Sequence, residues 1–194
     1  MQISLDSVRK ALINTDSIAA DGIRSNPTLA PAGVLLLVYV KDGEVCVLLN
    51  KRTSWVEHHK GEISFPGGAQ DPEDATILDT ALREAHEEMG VKGEDVEILC
   101  RLDQVSTRSR FTITPFVGTI PSSYPFRANW IEVAEVLEVP LPLLLDSANL
   151  REMAGNEGNG QGGDFSYAYG EHLIWGATAR ILAQFLELIA PVLR

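Results

Sequence analysis

One segment of the chain combines a helical pattern with closely spaced acids: Arg83-Glu84-Ala85-His86-Glu87-Glu88-Met89-Gly90. On a helix of about 3.6 residues per turn, Glu84, Glu87 and Glu88 project within about a third of a turn of one another. A separate apolar stripe lies about a third of a turn away and consists of Leu78, Ala81, Leu82, Ala85 and Met89. We therefore predict a helix over residues 74–89 that buries one face and carries the acids beside it.

Signals at both ends bound this helix. Asp71 before Pro72, or alternatively Asp79, is a suitable start, and Gly90 is typical of a C-terminal stop. Upstream, Pro66-Gly67-Gly68 is expected to break a short strand over residues 62–65. The two glycines permit a sharp turn, which would let a main-chain carbonyl approach the acids.

The crowded acids favour a cation site. Neighbouring carboxylates repel one another unless a cation neutralises them, and hard divalent ions such as Mg²⁺ and Mn²⁺ prefer oxygen ligands. The alternative is a charged face that is merely solvated, which is the usual identity of acid runs on helices. The Gly67-Gly68 pair shortly before the helix favours the metal site. Arg83, four residues before Glu87, is expected to orient that carboxylate.

Composition sets limits on the rest of the chain. With 194 residues, 45% of them hydrophobic, the chain is expected to form a single folded domain. A net charge of −11 repels nucleic acids and anionic lipids, so we expect neither as a partner. Cys46 and Cys100 lie in apolar segments and are interpreted as buried thiols of a reducing compartment. The chain shows no signal-peptide pattern and no apolar run of membrane-spanning length, so the expected location is cytoplasmic.

Hydrophobic periodicity predicts strands and helices that together form one α/β domain with helices packed on a mixed sheet. Residues 1–30 are interpreted as an N-terminal helix (3–17) and linker, and residues 33–194 as the core. The predicted strands cover residues 33–40, 45–49, 96–102, 111–120 and 132–139, with a hairpin turn at 41–44. Residues 167–175 are predicted to form a final strand or a hairpin. Further helices are expected at 140–145 and 177–193, and a loop at 156–163.

Residues 68–91 resemble the Nudix box, a signature that begins with Gly, reaches a Glu, and ends Arg-Glu-(apolar)-x-Glu-Glu-x-Gly-(apolar). Residues 83–91 match the second half throughout. The first half departs from the signature, because one additional residue separates Gly68 from Arg83. The expected upstream Glu therefore falls on Asp74 or Ala75.

The lengthened box is similar to that of the coenzyme A pyrophosphatases of this superfamily. That subgroup carries Asp in the loop and Ala-Leu-Arg-Glu-Ala in the helix, as residues 71–74 and 81–85 do here. Its upstream signature is matched in spacing by Leu48-Leu49-Asn50-Lys51-Arg52-Thr53, Gly61 and Phe65-Pro66-Gly67-Gly68. Glu57 stands where the subgroup has Arg, which reverses a charge where an anionic substrate would lie.

The resemblance implies a Nudix-type α/β/α sandwich with a mixed sheet and metal-dependent hydrolysis of a pyrophosphate bond in a nucleoside diphosphate derivative. It implies Mg²⁺ or Mn²⁺ as cofactor, held by Glu84, Glu87, Glu88 and the Gly68 carbonyl. Arg83 belongs to the same catalytic set, and Asp74 is a weaker addition.

The general base and the phosphate-binding groups are less closely defined. The resemblance implies that a Glu of the box or a carboxylate from a distant loop serves as the general base. Glu132 and Glu135 are candidates for the distant carboxylate, although acids at such positions are more often ordinary exposed residues of a strand. Arg52 is the first candidate for binding substrate phosphates, and Arg108 and Arg110 form a small basic loop. For each of these arginines, an ordinary solvated side chain is an equally good interpretation.

The leading hypothesis is hydrolysis of coenzyme A or acyl-coenzyme A to 4'-phosphopantetheine and adenosine 3',5'-bisphosphate. Alternatives are the same chemistry on ADP-ribose, NADH or dinucleoside polyphosphates, or a non-catalytic Nudix sensor that binds nucleotides. A sensor has no need of the intact acid set, which argues against it. The expected partner is a small nucleotide-derived substrate, and a homodimer is left open.

Overall fold

The computed structural model of the protein describes residues 3–13, 28–53, 61–152 and 165–192. Two long antiparallel strands form its centre, β1 (Ala30–Lys41) and β2 (Glu44–Arg52). They are joined at Asp42-Gly43, where both residues adopt positive φ, of 50° and 84°. That conformation matches the right-handed twist of the flanking strands, so the predicted hairpin turn is confirmed.

The remaining strands extend this hairpin into an eight-stranded mixed sheet. β7 (Phe111–Thr119) runs parallel to β1, and β5 (Glu97–Arg101) runs antiparallel to β7. β8 (Val133–Pro140) pairs antiparallel with β2. Three short strands complete the sheet: β3 (Ile63–Ser64), β4 (Gly67–Ala69) and β6 (Val105–Ser106), which pair with β2, β1 and β7.

Both faces of the sheet are covered, which explains why β1 is a continuous apolar run. On one face, Leu35, Leu37 and Tyr39 pack with helix α2 (Ile77–Met89). On the other face, alternate residues of β1 pack with helices α1 (Leu5–Ile13) and α4 (Gly176–Ile189). The predicted α/β/α sandwich with a mixed sheet is thereby confirmed.

A smaller unit follows β8. Helix α3 (Leu141–Leu145) leads into a three-stranded antiparallel sheet of β9 (Leu150–Glu152), β10 (Phe165–Tyr169) and β11 (His172–Ile174). Single 3₁₀ turns lie at Gly93–Asp95, Ser147–Asn149 and Ala190–Val192. The predicted helix at 140–145 and hairpin at 167–175 are confirmed.

One local prediction was incomplete and another was wrong. The short strand does break before Gly67, as predicted, but residues Gly67–Ala69 then pair with β1 as β4, which the sequence did not predict. Helix α2 starts neither at Asp71 nor at Asp79: its N-cap is Thr76, and Asp79 is the third helical residue. The predicted helix residues 14–17, the linker up to residue 27, Glu57 and the 156–163 loop lie outside the described residues.

Within the part of the chain that the structure describes, every helix is too short or too polar to cross a bilayer.

Candidate functional site

Helix α2 is fixed at both ends and lies unusually close to β1. Thr76 Oγ accepts a hydrogen bond from the Asp79 amide at 3.1 Å, and the Asp79 carboxylate accepts one from the Thr76 amide at 2.9 Å. Gly90 closes the helix in the left-handed conformation, as predicted. A Cβ at Gly33 of β1 would lie 2.5 Å from the Ile77 carbonyl oxygen, so a glycine there permits the close approach.

The most buried acid of the helix is Glu88, whose residue is 2% exposed. Its Oε2 accepts hydrogen bonds from Asn50 Nδ2 at 2.8 Å and from the Gly67 amide at 3.3 Å, and its Oε1 pairs with Arg52 Nη1 at 3.1 Å. Ser64 Oγ donates to Asn50 Oδ1 at 2.8 Å, which turns the amide so that its NH₂ faces Glu88. Burial raises the pKa of Glu88 to about 7, against the opposing effect of Arg52.

The Glu84 carboxylate lies directly against the backbone of β4. A Cβ on Gly68 would stand 2.5 Å from Glu84 Oε1, so this approach requires a residue without a side chain. Burial raises the pKa of Glu84, while the Arg83 guanidinium opposes that shift and the charges of Glu87 and Glu132 add to it. Glu132 therefore lies close enough to Glu84 for the two carboxylates to interact.

Arg83 connects the acids on the more open side. Its Nη1 lies 2.9 Å from Glu84 Oε1 and 3.1 Å from Glu87 Oε2, so the predicted contact with Glu87 is present. Its Nε and Nη2 each lie 3.0 Å from an oxygen of Asp74, a bidentate pair that holds the pKa of Asp74 well below its usual range. Nη2 also donates to the Ala69 carbonyl at 3.2 Å. Asp74 therefore serves as the counterion of Arg83.

The structure separates the two candidate bases. The segment that precedes β8 is tied to the end of α2, where the Asn129 amide donates to the Glu88 carbonyl oxygen at 2.8 Å. Glu132, in the same segment, accepts from Asn129 Nδ2 at 3.2 Å and interacts with Glu84. Glu135 instead lies on the opposite face of the sheet, where its Oε1 is 3.3 Å from His172 Nε2. Only Glu132 of this pair is near the acids.

The arginine candidates are separated in the same way. Arg52 lies among the acids, in contact with Glu88. Arg108 and Arg110 lie in the turn before β7, and Arg110 Nη2 donates to the Thr28 carbonyl at 3.3 Å. The strand pairs Ala30–Phe111 and Gly33–Gly68 put that turn three residues, roughly 10 Å, farther along β1 than Gly68, and on the other side of β1. The basic loop is thus at the same end of the sheet as Gly68 but does not belong to the cluster.

Two polar groups at the cluster were not identified from the sequence. Asn50 is the last residue of an otherwise apolar run in β2 and is completely buried, and a buried amide requires hydrogen-bond partners. A polar residue at the end of an apolar run was the sequence signal that could have identified Asn50. The Gly67 amide could not be found in this way, because its direction depends on the pairing of β4 with β1.

The donor chemistry of the cluster fits a hard divalent cation. Arg83 pairs with the carboxylates of Asp71, Asp74, Glu84 and Glu87, and Arg52 pairs with that of Glu88, so five carboxylates surround only two guanidinium groups. One guanidinium nitrogen already bridges Glu84 and Glu87, so positive charge is stabilised between them. Among the described residues, no three His, Cys, Asp or Glu side chains converge at ligand distance. Glu84, Glu87 and Glu88 could hold a cation after side-chain adjustment, and the backbone of Gly68 lies against Glu84.

Comparisons with known proteins agree with this geometry. The NUDIX domain profile matches residues 29–141. A Photorhabdus laumondii protein described as uncharacterized Nudix hydrolase NudL is 35% identical over 158 residues, which cover 81% of this chain and 84% of the relative. The NudL protein of Yersinia enterocolitica is 32% identical over 158 residues, covering 81% and 80%.

Solved structures support the fold. A MutT/nudix family protein from Enterococcus faecalis aligns with a TM-score of 0.55 at 16% identity, over 98% of this chain and 76% of that one. Nudix hydrolases generally use divalent ions such as Mg²⁺ or Mn²⁺. The chain belongs to the Nudix hydrolase family and is a pyrophosphohydrolase that acts on a nucleotide derivative.

Proposed function

We propose that this protein hydrolyses the pyrophosphate bond of coenzyme A or acyl-coenzyme A, releasing 4'-phosphopantetheine and adenosine 3',5'-bisphosphate. The choice of coenzyme A is supported by the lengthened box and by the spacing of Arg52, Gly61 and residues 65–68. The observation that carries the chemistry is the buried Glu88 beside Glu84, since an acid cluster at this depth is stable only with cationic partners.

Glu84, Glu87 and Glu88 would hold Mg²⁺ or Mn²⁺, with the Gly68 carbonyl as a further ligand. A divalent ion held there supplies neutralisation of phosphoryl oxygens and a lower pKa for water. Asn50 would keep Glu88 in place through its 2.8 Å hydrogen bond. Arg83 would orient Glu84 and Glu87 from the side that faces Asp74.

Arg52 would bind a substrate phosphate. Its Nη1 contacts Glu88, and its side chain stays 23% exposed, so the guanidinium retains accessible donors for a phosphate oxygen. Glu132 would take the proton of the attacking water, because it is partly exposed and lies near Glu84. Arg108 and Arg110 would attract the anionic substrate from their turn at the same end of the sheet.

Turnover of defined compounds tests this proposal. The purified protein is incubated with Mg²⁺ or Mn²⁺ and with coenzyme A, acetyl-coenzyme A, ADP-ribose, NADH and dinucleoside polyphosphates, and the products are separated by chromatography. We expect coenzyme A or its acyl ester to be cleaved fastest, and chelation with EDTA to abolish turnover. Cleavage of ADP-ribose with coenzyme A untouched would overturn the substrate assignment.

Glu88→Gln tests the role of the buried acid. We expect a loss of kcat of at least about 100-fold, because a neutral amide binds the cation poorly. The side chains have nearly the same volume, so the Tm should be preserved. The matched control is Glu94→Gln at a side chain that is 78% exposed, which should behave as wild type. Near-normal activity of Glu88→Gln would remove Glu88 from the site.

The cytoplasmic location and a homodimer stay predictions.

A further inference from the structure

A cavity of about 430 Å³ opens on the α2 face of the sheet, between the outer strand β8 and the segment that precedes it. Its volume lies within the range of about 300–1,000 Å³ that is usual for small-molecule sites. The residues that define its chemistry are Lys41, Glu138, Tyr124, Phe126, Trp130 and Val136.

The cavity lies one strand pair away from the acid cluster. Val136 lines the cavity and is the strand partner of Asn50, the residue that donates to Glu88. On the opposite wall, Trp130 directly follows Asn129, whose amide binds the Glu88 carbonyl oxygen. A substrate whose pyrophosphate lies at the acid cluster therefore has this cavity nearby for the group attached to the pyrophosphate.

Aromatic side chains form the wall next to the site. Trp130 is 67% exposed, so the protein leaves most of this large ring without a packing partner. Tyr124 and Phe126 lie in the same wall with ring centroids 5.5 Å apart, and Phe126 is fixed edge-on against Tyr39. Such rings present flat apolar faces on which another planar ring stacks.

The charged groups of the cavity disfavour a phosphate. Glu138 is paired with Lys41 and accepts a hydrogen bond from the Tyr39 hydroxyl, while Asp42 adds a further negative charge at the rim. The net charge of these groups repels an anion. A carboxylate and an ammonium side by side do offer an acceptor and a donor to a neutral ring with polar edges.

We propose that this cavity, bounded by Trp130, Tyr124 and Phe126, binds the nucleobase of the substrate. The inference rests on the proposed function, since it assigns the pyrophosphate of that substrate to the acid cluster. The base stacks on Trp130 and places its polar edge towards Glu138 and Lys41. The group on the far side of the pyrophosphate lies outside the cavity.

Binding of four nucleoside monophosphates and of ribose 5-phosphate, which lacks the base, tests the assignment by calorimetry. For wild type, we expect at least one nucleoside monophosphate to bind about 10-fold or more tightly than ribose 5-phosphate. Trp130→Ala should remove that advantage and leave the affinity for ribose 5-phosphate unchanged. Trp130→Phe should retain most of it. The matched control is Trp175→Ala, which alters another partly exposed tryptophan, at the start of α4 on the opposite face.

Three results would overturn the base assignment. The first is that no nucleoside monophosphate binds better than ribose 5-phosphate. The second is that Trp130→Ala keeps the full advantage of the base. The third is that Trp130→Ala weakens the binding of 4'-phosphopantetheine and not that of the nucleotide. That result would mean that the cavity binds the other half of the substrate. Failure of the proposed function has a separate signature, because it would show as an absence of coenzyme A turnover, whatever the binding data.

Discussion

Replacement of Gly68 by Ala perturbs the candidate site at one identified contact. The added Cβ would stand 2.5 Å from Glu84 Oε1, 2.6 Å from its Cδ and 2.9 Å from Oε2. To reach ordinary van der Waals contact, the Glu84 carboxylate must retreat by about 0.9 Å. The backbone of Gly68 does not have a positive φ, so alanine introduces no strain of its own there.

A displacement of that size should be costly for catalysis and cheap for folding. A misplacement of about 1 Å at a reacting group can lower the rate by about 100-fold. We therefore expect kcat of Gly68→Ala to fall by roughly that factor. Stability should change little, because the clash is with the end of a side chain that can rotate away.

The assay compares kcat and Tm across three glycine variants. Gly33→Ala places its Cβ 2.5 Å from a backbone oxygen of Ile77, so it should lose about 1–3 kcal/mol of stability and keep its activity per folded molecule. Gly93→Ala has no neighbour nearer than 4.0 Å and should match wild type in both respects. A Gly68→Ala protein with wild-type kcat would refute the reasoning that the position of Glu84 matters to the reaction.

Three further predictions concern the framework of the site. Thr76→Ala removes the hydrogen bond to the Asp79 amide and should cost about 1 kcal/mol, seen in thermal unfolding as a Tm lower by about 2–4 °C. Burial raises the pKa of the Cys46 thiol to about 11, so iodoacetamide at pH 7.5 should label it in the unfolded protein and not in the native one, as read by mass spectrometry. Asn50→Leu removes the donor to Glu88 and should lower kcat by about 10- to 100-fold in the turnover assay.

Each of these has a contrary result. An unchanged Tm for Thr76→Ala would mean that the cap does not stabilise α2. Rapid native labelling of Cys46 would contradict its burial beneath the sheet surface. An Asn50→Leu enzyme with normal kcat would show that Gly67 and Arg52 suffice to hold Glu88.

The fold was largely predictable because its strands and helices keep clear hydrophobic periods. The continuous apolar run of β1 indicated a strand buried on both faces, and the stripe through Ala81 and Ala85 indicated a helix on one of them. Gly90 correctly ended α2. The start of α2 was missed because several residues before it can cap a helix, and only the structure shows the reciprocal bonds of Thr76 and Asp79.

The candidate site was predictable along one helix and less so across the sheet. Spacing alone puts Arg83 against Glu87, since both lie on α2. The strand period puts Glu132 and Glu135 on opposite faces, but it does not tell which of the two lies near the acids, because that depends on the pairing of β8 with β2. The partners of Glu88 come from two strands, Asn50 and Arg52 from β2 and Gly67 from β4, so their convergence is a property of the tertiary structure.

The two guanidinium groups have a consequence for metal exchange. Arg83 and Arg52 occupy oxygens of Glu84, Glu87 and Glu88, so the acid helix has internal cationic partners. A divalent ion bound at the proposed site would compete with these guanidinium groups for the same oxygens, and part of its binding energy would be used to displace them. We therefore expect readily reversible binding, with an occupancy that follows the free concentration of divalent ions.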